Sequence, residues 1–277
     1  MRKNYKFLYF ISAAFALLAV VGVVLRTAAL FTVYDSDIGY YQTSAVLPDI
    51  FHIVCIAAVA FAALSILFLP EKAAFDYAPP SSMPSFVRGG AAFAIVASSA
   101  YVGYVCLGLL GDRAIYTSFT TGEGTIVEKF AAIMGFASII YFALVLAGKA
   151  EEGEKHVYFG YCVILFVLMI LAKTYFDFYT TMNSPNKLLL QISFMSIMLY
   201  MLYELRFPIG SGSPRGYWAI SLAAFYLTAV CSIPGIIAFF AGIFTKNEYF
   251  VCHFLSLGFC AYIGARLLSF IRAQKKQ

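Results

Sequence analysis

Eight stretches of this chain are nearly unbroken runs of apolar residues, at about 7–30, 46–69, 88–110, 128–148, 156–176, 186–205, 216–244 and 249–271. At 1.5 Å rise per residue, each is long enough to cross about 30 Å of hydrocarbon as a helix. The apolar positions run on without alternating, which disfavours the strands of a β-barrel. Short connections carrying Pro, Gly, Asp or Lys separate the runs. The pattern predicts an all-α, polytopic integral membrane bundle of eight transmembrane helices. The first run, from Phe7 to Leu25, is longer than a signal-peptide core and no A-x-A site follows it, so it is read as an uncleaved helix.

Local signals refine the runs. Ser184 before Pro185 suits an N-cap followed by proline at the first helical position. Ile233-Pro234-Gly235 falls in mid-run, where proline removes a backbone hydrogen bond and kinks a helix. The carbonyls it frees would line a cavity or sit in a static packing kink. The Ala-rich segment from Ala91 to Ala100, and Ala261, Gly264 and Ala265, are small-residue faces suited to close packing or to a partner membrane protein.

Charge sets the expected orientation. With the N-terminus inside, thirteen Lys and Arg residues fall at inner helix ends and six at outer ends. That asymmetry predicts both termini in the cytoplasm of a bacterial cell membrane. Arg26 and Lys173 break the bias, at matching places. The first run goes from Lys6-Phe-Leu-Tyr-Phe10 to Arg26-Thr27, and the fifth from Lys155-His-Val-Tyr-Phe159 to Lys173-Thr174. The fourth and eighth open on Glu128-Lys-Phe130 and Glu248-Tyr-Phe250. These correspondences predict a tandem 4+4 repeat, 1–150 and 151–277, whose halves share one orientation as in parallel-repeat transporters. Recurrent interfacial aromatics would make helix ends look alike by chance, but they do not account for two outer cations.

Composition agrees with a membrane chain: 62% of the residues are hydrophobic and only 12% charged, against about 25% in soluble domains. The net charge of +5 is dispersed along the chain, so it points to a bilayer and not to nucleic acid. The six cysteines lie in apolar runs with no CxxC, as buried small residues do. No nucleotide, hydrolase or cofactor motif occurs, so neither a catalytic residue nor a cofactor is assigned.

The candidate chemistry gathers at the outer side. Ionisable groups at membrane depth usually face the bundle interior or a wet cavity. Arg26 and Lys173 would contact an anionic group, with Asp177, Tyr179 and Asn183 beside them; alternatively Arg26 snorkels to the headgroups and Lys173 pairs with Asp177 four residues on. Asp49 and His52 share a helix face and, with His253, would bind or relay protons. The leading expectation is therefore a small-molecule or ion transporter with an outward-facing polar vestibule, taking a small anionic solute. The alternative is a non-enzymatic subunit or sensor that acts with a partner protein. A metal-dependent membrane enzyme using Asp49, His52 and His253 comes third, since no metal-ligand spacing supports it.

Overall fold

The computed structural model describes residues 2–68, 84–109, 124–148, 155–176 and 184–276. Among these are eight helices long and apolar enough to cross a membrane, and the chain is a multi-pass helical membrane protein. They are α1 (Arg2–Thr32), α2 (Val46–Leu64), α3 (Ser85–Leu109), α4 (Gly124–Leu146), α5 (Lys155–Tyr175), α6 (Pro185–Leu205), α7 (Pro214–Phe240) and α8 (Asn247–Lys276). A 3-10 turn, Ser65–Phe68, extends α2.

The boundaries follow from local chemistry. Ser184 caps α6 as expected, its hydroxyl accepting from the Lys187 N–H at 3.3 Å, with Pro185 behind it. Ser213 and Pro214 start α7 in the same way. α7 stops at Phe240, short of the apolar run's end at 244. Gly242 takes φ +78°, and the Ile243 N–H turns back to the Ala238 carbonyl at 2.9 Å. That left-handed closure satisfies the last carbonyls, and hydropathy does not register it.

Six helices close a ring. α3 packs on α4, α4 on α5, α5 on α6, α6 on α7, α7 on α8, and α8 returns to α3. α1 and α2 lie outside it, α1 along α7 and α2 against both. Phe15 of α1 stacks on Phe61 of α2, and Cys55 Sγ of α2 lies 3.6 Å from the Tyr226 hydroxyl of α7. Of the α7 and α8 spans 67% is buried, against 22% of α2, so α7 and α8 are the most enclosed of the helices. α5–α6 belong to the ring, whereas α1–α2 pack on its outside.

Between α1 and α2 the chain forms a small hairpin, β1 (Tyr34–Asp35) paired antiparallel with β2 (Tyr40–Tyr41). Asp35 Oδ1 accepts from the N–H groups of Asp37 and Ile38, fixing the turn. Tyr34 packs edge-on against Tyr41 and Phe244, next to Leu30 and Ala238.

The α3–α8 seam shows why the alanine-rich stretch is there. Ala91, Ala94 and Ala97 are buried. A Cβ at Gly90 would stand 3.1 Å from Ala261 O, Tyr262 Cα and Ala265 Cβ, and one at Gly258 would stand 2.5 Å from Ala97 Cβ. In lipid there is no hydrophobic drive between helices, so backbone approach through small residues supplies the packing. Both small-residue faces are used within the chain: Gly90 meets Ala261 and Ala265, and Gly264 meets Phe225 of α7. Gly90→Val should therefore lower stability in nanodiscs by about 1–3 kcal/mol. Gly103→Ala, at an exposed position with open space around it, should be neutral or gain up to about 1 kcal/mol. Equal unfolding midpoints for the two variants would refute the close seam.

Candidate functional site

Arg26 sits in the second half of α1, on a face that Gly22 lets approach α7. A Cβ at Gly22 would stand 2.7 Å from both the Tyr226 hydroxyl and Val230 Cγ1. The guanidinium is 1% exposed. Nη1 donates to the carbonyls of Val230 at 2.7 Å and Cys231 at 2.6 Å, and Nη2 donates to Asn186 Oδ1 at 2.7 Å. Val230 lies four residues before Pro234, so its carbonyl is the one that proline deprives of a helical N–H. The off-rule arginine and the mid-span proline are thus one feature: the cation of α1 takes up the carbonyl that the break in α7 sets free. Asn186, in the first turn of α6, ties a third helix to the junction.

The far side of this junction is covered. Leu30 of α1, Ala238 of α7 and Phe244 form a small apolar cluster against Tyr34 and Tyr41 of the hairpin. Burial, with a further push from Tyr41, holds the Tyr34 hydroxyl up at about 12; burial also raises Tyr41, and Arg26 opposes both shifts. Both phenols are therefore neutral at pH 7 and bring no negative charge to the guanidinium.

The ring interior holds a second cluster. Lys173, near the end of α5, reaches Glu128 of α4 at 3.3 Å and Glu248 of α8 at 3.2 Å. Its ammonium also lies 5.9 Å from the centre of the Tyr104 ring of α3. Four ring helices thus meet around one buried cation. Residues late in α3 and α5 meet residues early in α4 and α8 here, so neighbouring helices run in opposite directions.

At the other end of the ring, Glu204 of α6 accepts on Oε1 from the Tyr262 hydroxyl at 2.7 Å and from Arg266 Nε at 2.6 Å, both on α8. Tyr200 and Tyr217 share a hydrogen bond of 3.1 Å beside Tyr262. Glu204 Oε2 is buried and finds no hydrogen-bond donor among the described residues. Between the two charged layers lie Phe142 with Phe259, Tyr101 with Phe166, and a bond of 2.8 Å between the Ser193 and Ser256 hydroxyls of α6 and α8.

The expected site residues fall in different places. Arg26 and Lys173 are both buried, each with its own partners. Asp49 and His52 lie on the exposed face of α2, and no hydrogen bond or ion pair joins them among the described residues. His253 is fully buried on α8, its ring stacked on Phe244 and set against Gly235 of α7. Asp177, Tyr179 and Asn183 lie outside the described residues. No group of three His, Cys, Asp or Glu side chains with metal-binding proximity occurs among the described residues. Sequence reading did not assign Glu128, Glu248, Glu204, Arg266 or Asn186 to a site, although each carboxylate is an ionisable group at the end of an apolar run, a signal available from the start.

Comparison with protein-family models, curated proteins and solved structures finds no match to this chain.

If Arg26 serves the Pro234 break, the two residues are energetically coupled. Arg26→Met should lower stability by about 2–4 kcal/mol, since it strands a buried carbonyl and a buried amide oxygen. Pro234→Ala restores a helical N–H to Val230, so the double variant should recover at least about 1 kcal/mol relative to the sum of the single effects. Additive unfolding energies in this cycle would contradict the coupling.

Proposed function

We propose that this chain is a transporter-like carrier of a small anionic solute in a bacterial cytoplasmic membrane, with both termini inside. The observation that carries the reading is the Glu128–Lys173–Glu248 cluster, drawn from α4, α5 and α8 and turned into the ring. Taking charges out of water is expensive, and ionisable side chains inside membrane bundles are kept mainly where they serve a pathway or exchange protons. A solute crossing the ring must part these ions, and the two carboxylates that share one ammonium offer a place to take up a proton as it does so. Arg26 supplies positive charge toward the same end, which favours an anion. The orientation rests on the excess of Lys and Arg at the helix ends that carry the termini.

The 4+4 order of the sequence belongs to this reading. Arg26 and Lys173 occupy equivalent late positions in α1 and α5, and Glu128 and Glu248 equivalent early positions in α4 and α8. In such a duplication α1–α2 would be the hairpin that packs outside the ring its counterpart joins. A role as a non-enzymatic partner subunit is the alternative, but the small-residue faces of α3 and α8 that would have served it are occupied within the chain.

Uptake into proteoliposomes tests the proposal, with radiolabelled chloride, nitrate, acetate and lactate measured with and without an imposed pH gradient. At least one anion should enter faster than in empty liposomes and respond to the gradient. Lys173→Met should reduce that rate about tenfold or more, the scale of a lost charged contact, while Phe10→Leu on the lipid face should not. Uptake of every anion equal to that of empty liposomes, or unchanged in Lys173→Met, would refute it.

A further inference from the structure

The Arg26 junction carries charge that its partners do not balance. All three of its hydrogen-bond acceptors on α6 and α7 are neutral, two backbone carbonyls and an amide oxygen. Among the described residues no carboxylate lies within ion-pair distance of the guanidinium. A guanidinium has five N–H donors; three hydrogen bonds go to α6 and α7, and the neutral Tyr41 hydroxyl is the further acceptor beside it.

A further buried polar atom stands at the same place. Asn186 is 3% exposed, and its Nδ2 has no acceptor although its Oδ1 is held by Arg26. The Cys231 backbone binds Arg26 while its thiol lies 3.8 Å from His253 Nδ1, so one residue links the imidazole to the guanidinium. Unpartnered buried donors are rare and disfavoured, and here one, Asn186 Nδ2, lies beside a cation with no carboxylate partner among the described residues. Asn186 also lies in the first turn of α6, whose N-terminal N–H groups and dipole favour negative charge.

We propose that Arg26 and Asn186 form a binding site for a small monovalent anion, a halide or the carboxylate of an organic acid, at the Pro234 break of α7. One negative charge balances one guanidinium, whereas a dianion would leave a net charge buried. The anion would accept from the remaining guanidinium N–H groups and from Asn186 Nδ2. The site rests on the proposed reading of an anion carrier and names that carrier's contact, but it is tested by binding alone.

The test uses the full chain in nanodiscs, in HEPES with sodium sulfate at constant ionic strength, titrated with sodium bromide or sodium acetate. The unfolding midpoint of the wild type should rise saturably, by about 4 °C or more at a hundredfold excess over Kd. A response to bromide alone identifies a halide site, one to acetate alone a carboxylate site, and one to both a site that reads charge and size. Asn186→Asp places a carboxylate on Arg26 from within the chain; it should raise the midpoint in sulfate and abolish the response to both anions. No saturable response in the wild type, or an undiminished response in Asn186→Asp, would overturn the site. Anion uptake with no binding response would remove this site and leave the carrier reading intact; binding without uptake would do the reverse.

Discussion

The bundle depends on how a buried guanidinium is accommodated where a helix is broken. Pro234 leaves the Val230 carbonyl without its helical partner inside a low-dielectric span, and Arg26 supplies the missing donor at 2.7 Å. Each of the two would be unfavourable alone: an unpaired carbonyl in one helix, a desolvated cation in the next. Together they fix α1 on α7, set the register in which Gly22 meets Tyr226, and bring the start of α6 in through Asn186. α1 and α2 are outside the ring, so this junction and the Cys55–Tyr226 contact do much to hold them to it.

The ring is organised by where its charges lie along α8. Glu248 takes part in the cluster near one end of that helix, and Tyr262 and Arg266 in the cluster near the other. Phe142, Phe166 and Phe259 keep the two layers apart. Aromatic rings and the Ser193–Ser256 hydrogen bond thus separate two charged layers, each paired within itself. α8 also meets α3 through glycine and alanine, a contact suited to close approach and sensitive to any added methyl group.

Much of this fold was legible in the chain. Continuous hydropathy fixed the number and places of the spans because lipid leaves the backbone few alternatives to helices and closed barrels. Ser184-Pro185 announced the start of α6 by chemistry confined to a few residues. The end of α7 at Gly242 and the hairpin around Gly39 were not legible, since both depend on single left-handed residues that hydropathy ignores. For the site, the sequence drew attention to Arg26 and Lys173 inside apolar runs, and both side chains are buried. What it did not carry was partnership. Arg26 meets residues about 160 and 200 positions away in the chain, and Glu128 and Glu248 come together at Lys173 only because the ring closes. Asp49 and His52 illustrate the converse: a shared helix face in sequence does not say whether that face turns inward.

The placement of the Arg26 guanidinium is the central claim, and solid-state NMR in lipid bilayers tests it most directly. With 15N-labelled arginine and 13C-labelled valine carbonyl, the expected result is a dipolar coupling between the Arg26 guanidinium and the Val230 carbonyl carbon, at a separation of about 4 Å. That coupling should vanish in Arg26→Met, and the Arg26 signal should show no coupling to lipid 31P. A guanidinium coupled to phosphate and not to Val230 would mean that Arg26 snorkels to the headgroups, which would contradict both the junction and the anion site built on it.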